Sequence, residues 1–191
     1  MSEDSVKDKK KQLRDTYTEL RKSLNPEITL EKSRKIQKKL IDLDSFMNAE
    51  IIHTYISMND RNEVNTHELI ETALQQGKSV VVPRIEDDNR LSHHKIQGLD
   101  DLETNDWGVP EPPGEADTKP AEPDLILVPM VSGDKIRNRL GYGKGYYDRF
   151  LKETVGIKVG LLFDIQVYDQ VLPTDKYDVQ LDLLITESRI L

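Results

Sequence analysis

Residues 124–130, Asp-Leu-Ile-Leu-Val-Pro-Met, form an apolar run with no polar alternation. A strand of that kind has no face to show water, so it belongs in a sheet covered on both sides. Other segments agree. Glu50–Ser57, Ser79–Val82, Ile157–Phe163 and Asp182–Thr186 read as strands, and Leu91–Ile96 as a weaker one. Helical periodicity separates them. Val6, Leu13, Tyr17, Leu20 and Leu24 predict a helix over residues 6–23. After the Asn25-Pro26 break, Ile28, Ile36, Leu40 and Leu43 predict another over 27–43. A third is expected from the Asn65 cap with Glu68 to Gln76, stopped by Gly77. A fourth runs from about Gly145 to Lys152, and a short one is expected over Gln166–Leu172. The expected fold is α/β: a single-domain, three-layer α/β/α sandwich over residues 1–191. It has a mostly parallel sheet with the N-terminal helices packed on it. Ligands in such sheets collect at the carboxyl ends of the strands.

Charge and composition narrow the function. The net charge of −8 divides into +5 over residues 1–40 and −13 over the rest. An acidic body is a poor nucleic-acid binder. No apolar run reaches the roughly 18–20 residues that span a bilayer, and the N-terminus lacks a signal-peptide core. Without cysteine there is no thiolate nucleophile, thiolate zinc site or disulfide, which fits a reducing, cytoplasmic setting. His53, His67, His93 and His94 form no HExxH pair, and His93-His94 are expected on the surface. Residues 100–124, with nine acidic residues and five prolines, read as an irregular excursion within one domain. Residues 1–6 are expected to be disordered.

The densest chemistry lies in Arg137–Arg149, RNRLGYGKGYYDR. Gly141, Gly143 and Gly145 alternate, so backbone N–H groups can approach a ligand. The loop opens a helix whose N-terminus favours an anion. Arg137, Arg139, Lys144 and Arg149 add positive charge. This describes a phosphate cradle, and Asp148 beside it supplies the carboxylate that Mg²⁺ requires. A Walker loop needs Ser or Thr after the lysine, yet Gly145 follows Lys144. A Rossmann fingerprint needs glycine where Tyr146 stands. A purely structural glycine turn is the alternative.

Arg139–Asp148, RLGYGKGYYD, resembles the signature loop of 5-formyltetrahydrofolate cyclo-ligases, also called 5,10-methenyltetrahydrofolate synthetases. Lys10-Lys11-Gln12-Leu13-Arg14 looks like that family's N-terminal KxxLR element, and Glu63-Val-Asn-Thr66 like the turn after its first strand. Val82-Pro-Arg84, Trp107-Gly-Val-Pro110, Asp124–Pro129 and Pro173–Asp182 fall in the family's order.

The resemblance implies an enzyme that uses ATP and Mg²⁺ to convert 5-formyltetrahydrofolate to 5,10-methenyltetrahydrofolate, releasing ADP and phosphate. It implies that residues 10–14 and Arg139, Leu140, Gly141, Tyr142, Gly143, Lys144, Gly145, Tyr146 and Tyr147 hold ATP. Arg139 and Lys144 are the catalytic candidates for stabilising charge on the transferring phosphoryl group. Asp148 and Asp178 are the implied Mg²⁺ ligands, with Asp164 and Asp182 in supporting roles. Ile56, Glu63, Trp107 and residues 142–146 are the implied folate contacts, and Glu63 meets the pterin.

Each assignment has a plainer alternative. Lys10 and Arg14 also suit a solvated basic face, Ile56 plain core packing, and Trp107 an anchor for its loop. Asp148 suits a helix first turn, and Asp178 a turn before a strand. Arg84 is a weaker candidate for phosphate or folate carboxylate. The expected partners are small molecules, with no nucleic acid or membrane, and the chain is expected to act as a monomer or weak homodimer. Competing readings are a sugar-phosphate isomerase, a coenzyme A transferase-like enzyme, or a non-catalytic folate or nucleotide binder.

Overall fold

In the computed structural model, residues 3–86, 90–105, 108–114 and 122–191 are described. Trp107 lies outside them, as do residues 1 and 2. Among the described residues, the chain order begins with α1 (Glu3–Lys22), α2 (Pro26–Ile41), α3 (Asp44–Met47), β1 (Ile51–His53), α4 (His67–Gln75), β2 (Ser79–Ile85) and β3 (Leu91–Ile96). It continues with β4 (Glu103–Thr104), β5 (Pro110–Glu111), β6 (Leu125–Val128), β7 (Ser132–Asp134), β8 (Arg139–Leu140), α5 (Tyr146–Lys152), β9 (Ile157–Leu161), β10 (Val167–Tyr168) and β11 (Leu183–Ile185).

The main sheet runs β11-β9-β6-β1-β2-β3. Every pair is parallel except β2–β3, so the sheet is mostly parallel with one antiparallel edge. Pro83 sits inside β2, opposite His93 of the edge strand. β6 is buried along its whole length. Leu125 and Leu127 join the core under α2, α3 and α4, while Ile126 and Val128 join a second core with Leu151 of α5. The apolar run is thus covered on both faces. Gly160 of β9 makes the second core possible, because a Cβ there would fall 2.1 Å from Met130 and 2.5 Å from Leu184.

Three local features differ from the sequence expectation. The strand expected over 50–57 pairs in the sheet only at 51–53. Beyond it, Thr66 draws the chain off the sheet by donating to Tyr55 O and accepting from Ser57 N. The helix expected over 166–172 is instead a 3₁₀ turn, Asp164–Gln166, followed by β10. β10 belongs to a small sheet, β10-β7-β8, and α1 runs against it with Tyr17 edge-on to Tyr168, ring centroids 6.2 Å apart. The apolar stripe of α1 is only half-buried. The side chains that α1 buries fully are both cationic: Lys10 and Arg21.

In the 100–124 excursion, β4 and β5 form a two-stranded ribbon. Its Glu111 carboxylate accepts from the Ile85 N–H at the end of β2. Asn25 caps α2, and Pro26 starts that helix, so this pair begins a helix as well as ending one. Ile28 is exposed, since Thr29 and Ser33 hold the inward positions there.

Candidate active site

The strand order reverses at β1: β2 lies on one side and β6 on the other. The chain leaves both β1 and β6 at that point, opening a crevice. A cleft of about 980 Å³ occupies it, at the upper end of the range for small-molecule sites. Ile56 and Glu63 line it after β1, Pro83 and Ile85 from β2, Pro129 after β6, and the loop from Leu140 to Arg149 along its length. α1 closes one side with Lys7, Lys10 and Arg14.

β7 and β8 present the glycine loop. Their antiparallel pairing fixes Arg139 and Leu140, and the chain then turns through Gly143 and Gly145 at φ 94° and 72°. L side chains rarely adopt these angles. Gly143 also leaves room for Arg14, whose guanidinium carbon lies 3.2 Å from where a Cβ would stand. Arg14 Nε donates to Gly141 O at 2.8 Å, tying α1 to the loop. Burial lowers the Arg14 pKa, opposed by the charge of Asp178. α5 has only seven residues, so few peptide dipoles align and the cationic side chains carry most of the field.

Each implied metal carboxylate is held by a cation. Arg139 Nη2 lies 2.6 Å from Asp148 Oδ1, which also accepts from the Val179 N–H at 3.2 Å. Lys10 Nζ donates to Asp178 Oδ2 at 2.5 Å and to Asp175 Oδ2 at 2.7 Å. The Lys10 hydrogen bond pulls the Asp175 carboxyl below the usual range. Among the described residues no group of three or more His, Cys, Asp or Glu side chains could hold a metal. Mg²⁺ bound through phosphates needs only one or two carboxylates, and Asp148 and Asp178 supply hard oxygens on the same cleft. The residues therefore fit Mg²⁺ carried in with a polyphosphate.

The other end is more buried. Asn62, at φ 49°, donates to Leu24 O at 2.8 Å and to Lys22 O at 3.3 Å, anchoring the 58–63 turn on the end of α1. This places Glu63, 6% exposed, in the wall of the cleft. Its Oε2 accepts from the Met58 N–H at 2.9 Å, and its Oε1 accepts a short hydrogen bond from the Tyr142 hydroxyl. Tyr142 is 41% exposed on the loop, but its hydroxyl turns inward. Burial and the Glu63 charge raise its pKa, so it stays a donor. Tyr147 O–H and Arg139 Nε are buried without a hydrogen-bond partner in the protein. Both belong to residues that line the cleft, where a water or a ligand can complete the bonding.

The cleft unites Lys10, Arg14, Ile56, Glu63, Leu140 through Tyr147, Asp148 and Asp178, with Arg139 lining it beside them. Lys144 is exposed at the rim. The structure places several of the expected residues elsewhere. Lys11, Gln12 and Leu13 do not line the cleft, because helical rotation turns them off the face of Lys10 and Arg14. Arg137 bonds Leu181 O, and Arg84 bonds Gly114 O, so neither faces the cleft. Asp182 accepts from Lys158 N, and Asp164 contacts Arg189, both outside the cleft. His94 is buried, which corrects its expected surface position, and His93 is half-buried, packing on Phe150 with ring centroids 4.2 Å apart. Among the residues missed are Lys7 and Asp175, which line the cleft, and Arg21, which stands behind its wall. For Lys7 and Arg21, a signal existed: 7, 10, 14 and 21 share one helical face.

Comparison with known proteins gives one consistent result. Residues 6–187 match the 5-formyltetrahydrofolate cyclo-ligase family. The chain is 30% identical to a probable 5-formyltetrahydrofolate cyclo-ligase of Schizosaccharomyces pombe, covering 96% of this chain and 97% of that one. It is likewise 30% identical to the 5-formyltetrahydrofolate cyclo-ligase of Mus musculus, with 96% of each covered. The NMR structure of Aquifex aeolicus 5,10-methenyltetrahydrofolate synthetase superposes with a TM-score of 0.82 at 32% identity, over 95% of this chain and 91% of that one. The Mycoplasma pneumoniae 5,10-methenyltetrahydrofolate synthetase gives 0.73 at 26% identity, over 93% and 98%.

Proposed function

The chain belongs to the 5-formyltetrahydrofolate cyclo-ligase family, and on that ground we propose that its cleft joins ATP hydrolysis to the closure of 5-formyltetrahydrofolate into 5,10-methenyltetrahydrofolate. It is an enzyme of the ligase class, in a family that depends on ATP. The observation that carries the reading is the division of one cleft: cations and a glycine loop at one end, a buried carboxylate with apolar and aromatic neighbours at the other.

The chemistry explains why both ends are needed. The N5-formyl oxygen is a poor leaving group until it is phosphorylated. N10 then attacks the formyl carbon and gives up its proton to the departing phosphate or water as the C–O bond breaks. No side chain need act as nucleophile, so the protein positions and stabilises. Lys10, Arg14, Arg139 and Lys144 offset charge on the triphosphate, while loop N–H groups orient it. Asp148 and Asp178 would hold Mg²⁺, which supplies charge neutralisation on the phosphate oxygens when bound. Glu63 accepts from the pterin N–H groups, and Ile56 and Tyr146 supply apolar surface beside it. Lysine release is part of the sequence: Lys10 exchanges its two carboxylates for phosphate.

The reading treats residues 1–191 as one domain and the monomer as sufficient, since one copy supplies both ends of the cleft. No described helix is long and apolar enough to cross a membrane, and a cytoplasmic setting is part of the proposal. The test is direct. The methenyl product has its own absorbance and should appear from 5-formyltetrahydrofolate only with ATP and Mg²⁺ together. Folded protein that makes none under those conditions would overturn the reading.

A further inference from the structure

Behind the wall made by Glu63 and Tyr142 sits a cation that does not line the cleft. Arg21, in the last turn of α1, is 3% exposed. It lines a separate cavity of about 10 Å³, shared with Glu63, Tyr142 and Gln166, which has room for one water. Its Nη1 donates to the Tyr142 hydroxyl at 2.9 Å and to Met130 O at 3.4 Å. Its Nη2 lies 3.9 Å from Glu63 Oε1. The Tyr142 hydroxyl accepts from Arg21 and donates to Glu63 in turn. With the Met58 N–H on Oε2, each oxygen of the carboxylate has a donor from the protein.

The cost of burying this arginine makes the arrangement informative. A guanidinium taken out of water is expensive unless its partners are well placed, and packing alone would favour an apolar side chain here. Glu63 and Tyr142 line both the cleft and the small cavity, whereas Arg21 lines only the cavity. We propose that Arg21 is a positioning residue for folate recognition: through the Tyr142 hydroxyl it fixes the Glu63 carboxylate in the orientation that accepts pterin N–H groups, without touching substrate. The inference rests on the reading of the cleft given above and adds to it a residue whose effect is on one substrate.

The test is steady-state kinetics for each substrate, with thermal melting alongside. Arg21→Met should raise KM for 5-formyltetrahydrofolate by roughly ten-fold or more, and leave KM for ATP within about two-fold. Arg21→Lys keeps a charge but loses the planar fork, and should give an intermediate rise. A merely structural role would lower the melting temperature and the active fraction while leaving both KM values in place. If Arg21→Met fails to fold, a cycle of Arg21→Lys, Tyr142→Phe and the double variant decides. When Arg21 acts through the hydroxyl, the double variant is no worse for folate than Tyr142→Phe alone; fully additive effects would overturn the proposal. So would an unchanged folate KM in the folded Arg21 variants. An inactive wild-type enzyme would instead overturn the underlying functional reading.

Discussion

The two ends of the cleft solve the problem of holding charge in opposite ways. At the phosphate end, opposite charges meet directly: Arg139 on Asp148, and Lys10 between Asp175 and Asp178. In the reaction proposed above, these pairs would part before phosphate and metal take their places. At the folate end, Glu63 is held by neutral donors, Met58 N–H and Tyr142 O–H, with the Arg21 charge one step behind. That arrangement can stay intact while a ligand binds. On the proposed reading the cationic end works by exchange of partners and the Glu63 end as a fixed scaffold, which limits the ordering cost of the second substrate.

Three measurements would break or sharpen the contrast. The largest effect is expected from Arg139→Met, which removes a cation from the phosphate end and leaves Asp148 unpaired. Turnover should fall by about 100- to 1,000-fold, or about 3–4 kcal/mol, with the folate KM little changed. If folate affinity collapsed instead, the two ends would not be separable.

Next comes acid stability. His53 is fully buried, its Nε2 3.1 Å from His93 Nδ1, and burial holds its pKa well below the ordinary histidine value. Burial, then His94, holds His93 at about 4. The unfolded chain therefore takes up protons first as pH falls from about 6.5. Stability from His93 is complete above that pH, drains away between about 6.5 and 4, and changes no further below, while the loss from His53 starts at the same pH. His93 is partly exposed, so its share is of the order of 2 kcal/mol. Asp175 works in the other window: its pKa is depressed, so its contribution is lost only as pH falls below about 4. Melting temperature against pH should show the first fall in the wild type and a smaller one in His93→Gln. An unchanged profile in that variant would remove the His93 assignment.

The smallest effect is expected from Asp175→Asn. Lys10 then has one carboxylate fewer to leave, and KM for ATP should fall by about two- to five-fold. A rise would mean that Asp175 holds Lys10 in its working position and is not competing for it.

How much of this was legible in the sequence follows from how local each signal was. The glycine loop could be read because Gly143 and Gly145 occupy positive-φ positions and the cations flank them within a few residues. The run 125–128 could be read because burial on both faces leaves no polar residue. The small sheet could not: β8 and β10 have two residues each, too short for any period, and β10 pairs with β7 more than thirty residues before it. The apolar stripe of α1 misled in a specific way. It marked the helix correctly, yet Val6, Leu13, Tyr17 and Leu20 are only half-buried, while Lys10 and Arg21 go fully inside. Their burial depends on carboxylates and a tyrosine more than forty residues away, which no helical window contains. Asp175 became visible only with Lys10 seated between it and Asp178.

α1 also has a property that belongs to evolution more than to binding. One unbroken helix carries Lys10 and Arg14 into one end of the cleft and sets Arg21 behind the wall of the other, about 16 Å along its axis from the first to the last. Inserting or deleting a single residue between Arg14 and Arg21 would rotate one group against the other by about 100°. On the proposed reading the spacing of these cations is fixed, because a change in the length of α1 there would turn the groups serving one substrate away from those serving the other.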